Sequence, residues 1–96
     1  HINGGESEIY LLTMIIYQFR NLLRVKSLIE GKENPDNIAK KIGLHPFVAK
    51  KSIIASRLFS LDELKNIYRK LFDIDLKIKI GEIEPQMALN LFVMEL

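Results

Sequence analysis

The chain of 96 residues contains no cysteine, which excludes disulfides and thiolate metal sites and is compatible with a reducing compartment. Its longest apolar runs, such as IYLL and MIIY, have four residues each, far too few to span a membrane. The first residues show neither the charged start nor the cleavage site of a signal peptide. We therefore expect a cytoplasmic protein without membrane contact.

Strong net charge is also lacking, since the formal charge of +2 is too weak to indicate a polyanionic partner. The charges are nevertheless unevenly distributed. Residues 20–57 carry nine lysines and arginines against three acids, whereas residues 1–19 carry two acids and no base. Residues 58–96 carry five bases and seven acids. The middle third is therefore the basic part of the chain.

No catalytic or ligand-binding constellation is present. The segment NGGES lacks the lysine of a phosphate-binding GxxxxGK[ST] loop. His45 is the only interior histidine and has no set of neighbouring ligands for a metal, so we predict a local role at a helix start. Asp73 and Asp75 point in different directions on a helix and make a poor acid–base pair. We predict no catalytic site, no metal and no cofactor.

Helical periodicity and capping signals predict an all-α domain of about five helices. Gly31 is the expected end of the first helix and Gly43 that of the second. Asn34 before Pro35 is a good N-cap, and Ser60 with Glu63 matches a capping box. The predicted helices cover about residues 7–30, 35–43, 46–58, 60–81 and 85–94.

The segment DIDLKIKI, residues 73–80, fits two patterns. Its strict alternation of polar and apolar residues indicates a strand. The apolar residues also follow the helical spacing of three and four, and no other segment offers a partner strand. We therefore predict a helix, whose inner residues are Leu64, Ile67, Leu71, Ile74 and Ile78.

The first helix is too apolar for a domain of this size, because between Ile9 and Tyr17 only Thr13 is polar. Either the other helices wrap it fully or one of its faces meets a partner, and we favour the partner. The spacing places Ile9, Leu12, Ile16, Phe19 and Leu23 inward and Tyr10, Leu11, Met14 and Tyr17 outward. In the last helix, it places Met87, Leu91 and Met94 inward and Leu89, Phe92 and Val93 towards a partner.

The segment DNIAKKIGLHPFVAKK, residues 36–51, is similar to a DNA-reading helix-turn-helix corner. The second helix fits less well, because Ala49 and Ser52 stand where bulky packing is needed and its lysines suit phosphates better than bases. We favour a structural helix pair. The alternative is a small domain that binds DNA non-specifically through Arg20, Arg24, Lys40, Lys41, Lys50 and Lys51.

Four segments in order resemble one known family: GESEIYLLTMIIYQFRNLLRVKSLIEGK (5–32), IAKKIGLHPFVAKK (38–51), RLFSLDEL (57–64) and DIDLKIKIG (73–81). They are similar to the C-terminal domain of the bacterial DNA polymerase III delta subunit. The resemblance covers residues 5–96 and leaves residues 1–4 as a linker or a cloning remnant. It implies a compact helical bundle of the clamp-loader collar type, cut from a longer protein.

The resemblance also implies a function for the domain. Delta is part of the clamp loader, which opens the sliding clamp and places it on DNA, and the polymerase activity belongs to the larger assembly. The C-terminal domain would be a non-catalytic collar piece that holds the pentamer together. The implied partners are the gamma/tau-type ATPase and delta-prime subunits, with DNA contacted weakly or only indirectly. Self-association of the isolated domain through the same apolar residues is a further expectation.

Overall fold

The computed structural model describes residues 6–95, which form an all-α domain of five helices, and it confirms the predicted fold class. The linker predicted at residues 1–4 lies outside the described residues. Each predicted boundary lies within two residues of the observed one. The helices are α1 (Glu6–Glu30), α2 (Pro35–Ile42), α3 (Pro46–Ser56), α4 (Leu61–Lys79) and α5 (Pro85–Glu95).

Local hydrogen bonds fix where three of the helices begin. The Asn34 side chain accepts a hydrogen bond from the backbone N–H of Asp36, and the Ser60–Glu63 capping box is complete. His45 caps α3, since its Nδ1 accepts a hydrogen bond of 3.0 Å from the Phe47 N–H. The local role predicted for His45 is therefore confirmed.

The end of α1 differs in one detail from the expectation. Gly31 was the expected stop, but the left-handed residue is Lys32, with a φ of 67°. The Glu33 N–H reaches back to the Leu28 carbonyl oxygen at 2.9 Å, which closes the helix end in the way a Schellman motif does. The helix stops where Gly31 predicts, although the strained conformation falls on the following lysine.

Helix α1 is the element that the other four share. Helices α4 and α5 pack against α1 and against each other. Helices α2 and α3 also pack against α1 and against each other. The main core cluster joins Leu12 of α1, Leu71 of α4 and Phe92 of α5. The partly buried residues around this cluster are Ile15, Ile16, Phe19, Ile67, Ile74, Ile78 and Leu89. The domain is thus built from two groups of helices on one long axis.

The helical interpretation of residues 73–80 is confirmed. Leu64 and Leu71 of α4 are fully buried, and Ile67, Ile74 and Ile78 pack against the core cluster. In a helix the alternating residues divide into two rows on different faces, and the residues within each row are one turn apart. One row faces the core, and the other, formed by Phe72, Leu76 and Ile80, is exposed.

The register predicted for α5 is wrong. Met87, Leu91 and Met94 were expected inside but are exposed, whereas Ala88 and Phe92 are buried. A small residue at Ala88 lets the helix lie close to its neighbours, and the ring of Phe92 then fills the core one turn later. The residues that the spacing pattern favours are therefore not the ones that the packing buries.

The inward placement of Ile9 is also wrong, because its side chain is exposed near the start of α1. Leu12, one turn further on, is buried as predicted, and Ile16, Phe19 and Leu23 are partly buried. The core cluster that includes Leu12 ends at that turn, so the first turn of α1 extends beyond it.

Candidate partner-binding surface

The first half of α1, residues 6–17, presents an uncovered apolar row to the solvent. The side chains of Tyr10, Leu11, Met14 and Tyr17 are all exposed, and 69% of the Tyr10 surface is accessible. On the opposite side, Leu12, Ile15 and Ile16 pack into the core with α4 and α5. The outward placement predicted for these four residues is found in the structure, which gives this half of the helix one covered and one bare apolar side.

The same row continues into the second half of α1, residues 18–30, where it is covered. Asn21 and Val25 follow Tyr10, Met14 and Tyr17 at helical spacing, yet their exposed fractions are 2% and 0%. Helix α3 packs against α1 and buries three small residues of its own, Ala49, Ser52 and Ser56. We infer that α3 occupies the continuation of the row that remains bare in the first half.

The second predicted interface, on α5, is only partly available. Phe92 is 4% exposed and belongs to the core cluster, so its assignment to a partner surface is wrong. Leu89 is half-buried against the same cluster. Val93 is 63% exposed and keeps the place that the prediction gave it, beside the exposed Met94.

The row formed by Phe72, Leu76 and Ile80 on α4 was missed by the sequence reasoning as a surface. The signal was present in the printed sequence, because these residues recur every four positions beside the inner stripe. An apolar row outside the core is a second partner-binding candidate.

The six basic residues of the DNA-binding alternative do not share one site. Arg24 and Lys41 line a groove between α1, α2 and α4, whereas Lys50 lines another between α2 and α3. Arg20 donates a hydrogen bond of 3.4 Å from Nε to the Tyr68 hydroxyl of α4. Lys51 lies over the ring of Phe47, with its Nζ 5.0 Å from the centroid, and Lys40 is exposed on α2.

Lys41 is also engaged within the domain. Its Nζ lies 2.7 Å from Oε1 of Glu33, just before α2. The hydrogen bond from Lys41 is the main cause that lowers the pKa of the Glu33 carboxyl from its ordinary value. This ion pair ties the end of α2 to the turn after α1.

The corner between α2 and α3 is built by small residues. Gly43 adopts a φ of 71° and ends α2, and Ala49 and Ser52 are buried in α3. Ala49 and Ser52 thus allow close packing of helices.

Among residues 6–95, no group of three or more histidine, aspartate or glutamate side chains is arranged to hold a metal ion. In the same part of the chain, no helix has the length and apolar character needed to cross a membrane.

The family model for the C-terminal domain of the DNA polymerase III delta subunit matches residues 2–96. The chain belongs to this family. Membership agrees with the fold described above and with the segments that carried the resemblance.

One curated sequence and one solved structure, both of a Bacillus subtilis delta protein, are similar over nearly the whole chain. The DNA polymerase III subunit delta of Bacillus subtilis is 34% identical over 95 residues, which is 99% of this chain and 27% of the relative. The solved structure of the Bacillus subtilis DNA clamp loader delta protein aligns with a TM-score of 0.85 and 33% identity, over 92% of this chain and 26% of that one. The delta domain described here therefore spans about a quarter of the length of these relatives.

Proposed function

We propose that this delta domain is a non-catalytic assembly module, which packs against other subunits of a clamp loader in the cytoplasm. The subunits in question are the gamma/tau-type ATPase and delta-prime. Through these contacts, the domain would hold together the pentamer that loads the sliding clamp on DNA. No cofactor and no catalytic residue of this domain takes part in the proposal.

The bare row on the first half of α1 is the observation that carries the proposal. Apolar side chains that face water do not gain the favourable free energy of burial, and packing against another helix would provide it. Tyr10, Met14 and Tyr17 are of the types that are enriched in the cores of protein interfaces. In the second half of α1 the continuation of the row is buried, and α3 packs against α1, which supports a row that accepts a helix.

Direct DNA binding is the alternative, and the structure favours it less. A basic surface for phosphates needs several free cations that converge on one path. Here Lys41 is paired with Glu33, Arg20 is bonded to Tyr68, and Lys50 lies in a different groove from Arg24. DNA binding predicts an affinity that falls by about one log unit per log of salt for each phosphate contacted.

The test is co-elution in size-exclusion chromatography with light scattering. The chain is mixed with the collar domains of the ATPase and delta-prime subunits, in moderate and in high salt. We expect a mixed complex that survives high salt, because an apolar contact is not screened by ions. Light scattering separates this complex from self-association of the chain, which gives a higher mass in the absence of the partners.

Two variants locate the contact within the domain. Tyr10→Glu and Met14→Glu place a charge in the bare row and are each expected to abolish co-elution. Leu58→Glu is the matched control, since Leu58 is 80% exposed just beyond α3 and the substitution likewise replaces an exposed apolar side chain by glutamate. If wild type forms no complex, or if Leu58→Glu disrupts it as strongly as the other two, the proposed interface is wrong.

A further inference from the structure

A groove of about 530 Å³ lies where the second half of α1 meets the end of α2 and the start of α4. It combines two kinds of side chain. Three exposed cations come from three different helices: Arg24 of α1, Lys41 of α2 and Lys65 of α4. The same groove is lined by four half-buried apolar side chains, those of Leu23, Leu28, Ile42 and Leu61.

Two of the three cations are not neutralised within the described part of the chain. Lys41 pairs with Glu33, but neither Arg24 nor Lys65 forms an ion pair with a carboxylate of residues 6–95. Like charges gathered at one groove repel each other and do not help the fold. Their positive potential is available to an anionic partner.

The half-buried apolar side chains of the groove indicate a second property that the partner must have. They do not belong to the main core cluster around Leu12, Leu71 and Phe92. A ligand that carries only negative charge would lose part of its own hydration against these side chains and would offer them no apolar group to pack against. The groove is complementary to a ligand that has carboxylates and an apolar group within a short distance.

We infer that this groove binds an acidic peptide segment that carries a large apolar side chain such as leucine or phenylalanine. The carboxylates would accept charge-assisted hydrogen bonds from Arg24 and Lys65, and the apolar side chain would lie on Leu28 and Leu61. A nucleic acid fits less well, because single-stranded bases bind by stacking on aromatic side chains and none lines this groove.

The inference goes beyond the proposed assembly role and does not depend on it. The groove shares no residue with Tyr10, Leu11, Met14 and Tyr17. A result for one surface therefore leaves the other to be tested separately. Arg24 and Lys65 are both exposed, so their substitution does not threaten the fold.

The test is fluorescence anisotropy with a labelled short peptide of three aspartates followed by leucine and phenylalanine. We expect the chain to bind it, and we expect Arg24→Glu and Lys65→Glu each to weaken the affinity by about tenfold or more. The matched controls are Lys50→Glu and Arg57→Glu, which make the same change in the groove between α2 and α3. Both controls are expected to keep the affinity of the wild type.

Two further probes separate the peptide from other anions. One peptide carries serines in place of leucine and phenylalanine, and an oligothymidine provides the same number of negative charges. Both are expected to bind more weakly than the first peptide. Equal binding of the serine peptide, equal or tighter binding of the oligothymidine, equal losses in the control variants, or no binding at all would each overturn the inference.

Discussion

The two halves of α1 have similar apolar patterns but different surroundings. In residues 18–30, the row that contains Asn21 and Val25 is buried, and α3 packs against α1. In residues 6–17, the same row is exposed, although the opposite side is packed by α4 and α5. The domain thus supplies its own cover for one half of the row and leaves the other half without one.

The side chains on the two halves also differ in size. The covered half has Asn21 and Val25, opposite a helix that buries only Ala49, Ser52 and Ser56. The bare half has two tyrosines and a methionine, which need more room than this close packing allows. The bare half is therefore not simply a stretch that α3 leaves uncovered, because its larger side chains are of the types enriched in the cores of protein interfaces.

The largest effect is expected from the packed side of the first half. Leu12→Ala removes a buried side chain from the core cluster and should lower the free energy of unfolding by about 2–5 kcal/mol. Tyr10→Ala changes the bare side of the same helix and should alter it by less than about 0.5 kcal/mol. Urea unfolding of the isolated chain measures both. If the two substitutions lower the free energy of unfolding equally, the bare row stabilises the domain itself, and the packed and bare sides of this helix do not differ as described.

The next effect concerns the close packing of the covered half. Ser52→Leu adds a large side chain where α3 is buried, and it should lower the free energy of unfolding by about 1–3 kcal/mol or more. Lys51→Leu, on the exposed side of α3, is the control and should change it little. A neutral Ser52→Leu would mean that α3 is held at a looser distance than the burial of its small residues indicates.

Much of the fold follows from local signals that can be identified in the sequence. Asn34, His45 and Ser60 determine where three helices begin, because each side chain satisfies a backbone donor a few residues later. The register of α5 could not be predicted in this way. It depends on how close α5 lies to its neighbours, and tertiary packing buries Ala88 and Phe92 in place of Met87, Leu91 and Met94.

Of the candidate surfaces, too, one could be predicted from local sequence and the other could not. The exposure of Tyr10 and Met14 was predictable from one helix, since the inner and outer rows follow from spacing alone. The groove of Arg24, Lys41 and Lys65 was not predictable, because its cations lie far apart in the chain and meet only when three helices pack. Whether either surface binds its proposed partner stays a prediction.

The smallest effect expected is a gain in stability, and it concerns Asn21. This side chain is 2% exposed, and its Nδ2 has no hydrogen-bond partner among residues 6–95. A buried donor without a partner costs about 1–3 kcal/mol. Asn21→Leu replaces the amide by an apolar group of similar size, so it should raise the free energy of unfolding by about 1 kcal/mol.

The control for Asn21→Leu is Gln18→Leu, an exposed position on the same helix, for which little change is expected. Urea unfolding of both variants gives the comparison, with the midpoint shifting at constant slope. A loss of stability in Asn21→Leu alone would show that the covered half of α1 needs its amide. In that case, the two halves would differ in polarity as well as in cover, since the bare row offers only apolar side chains and tyrosine hydroxyls.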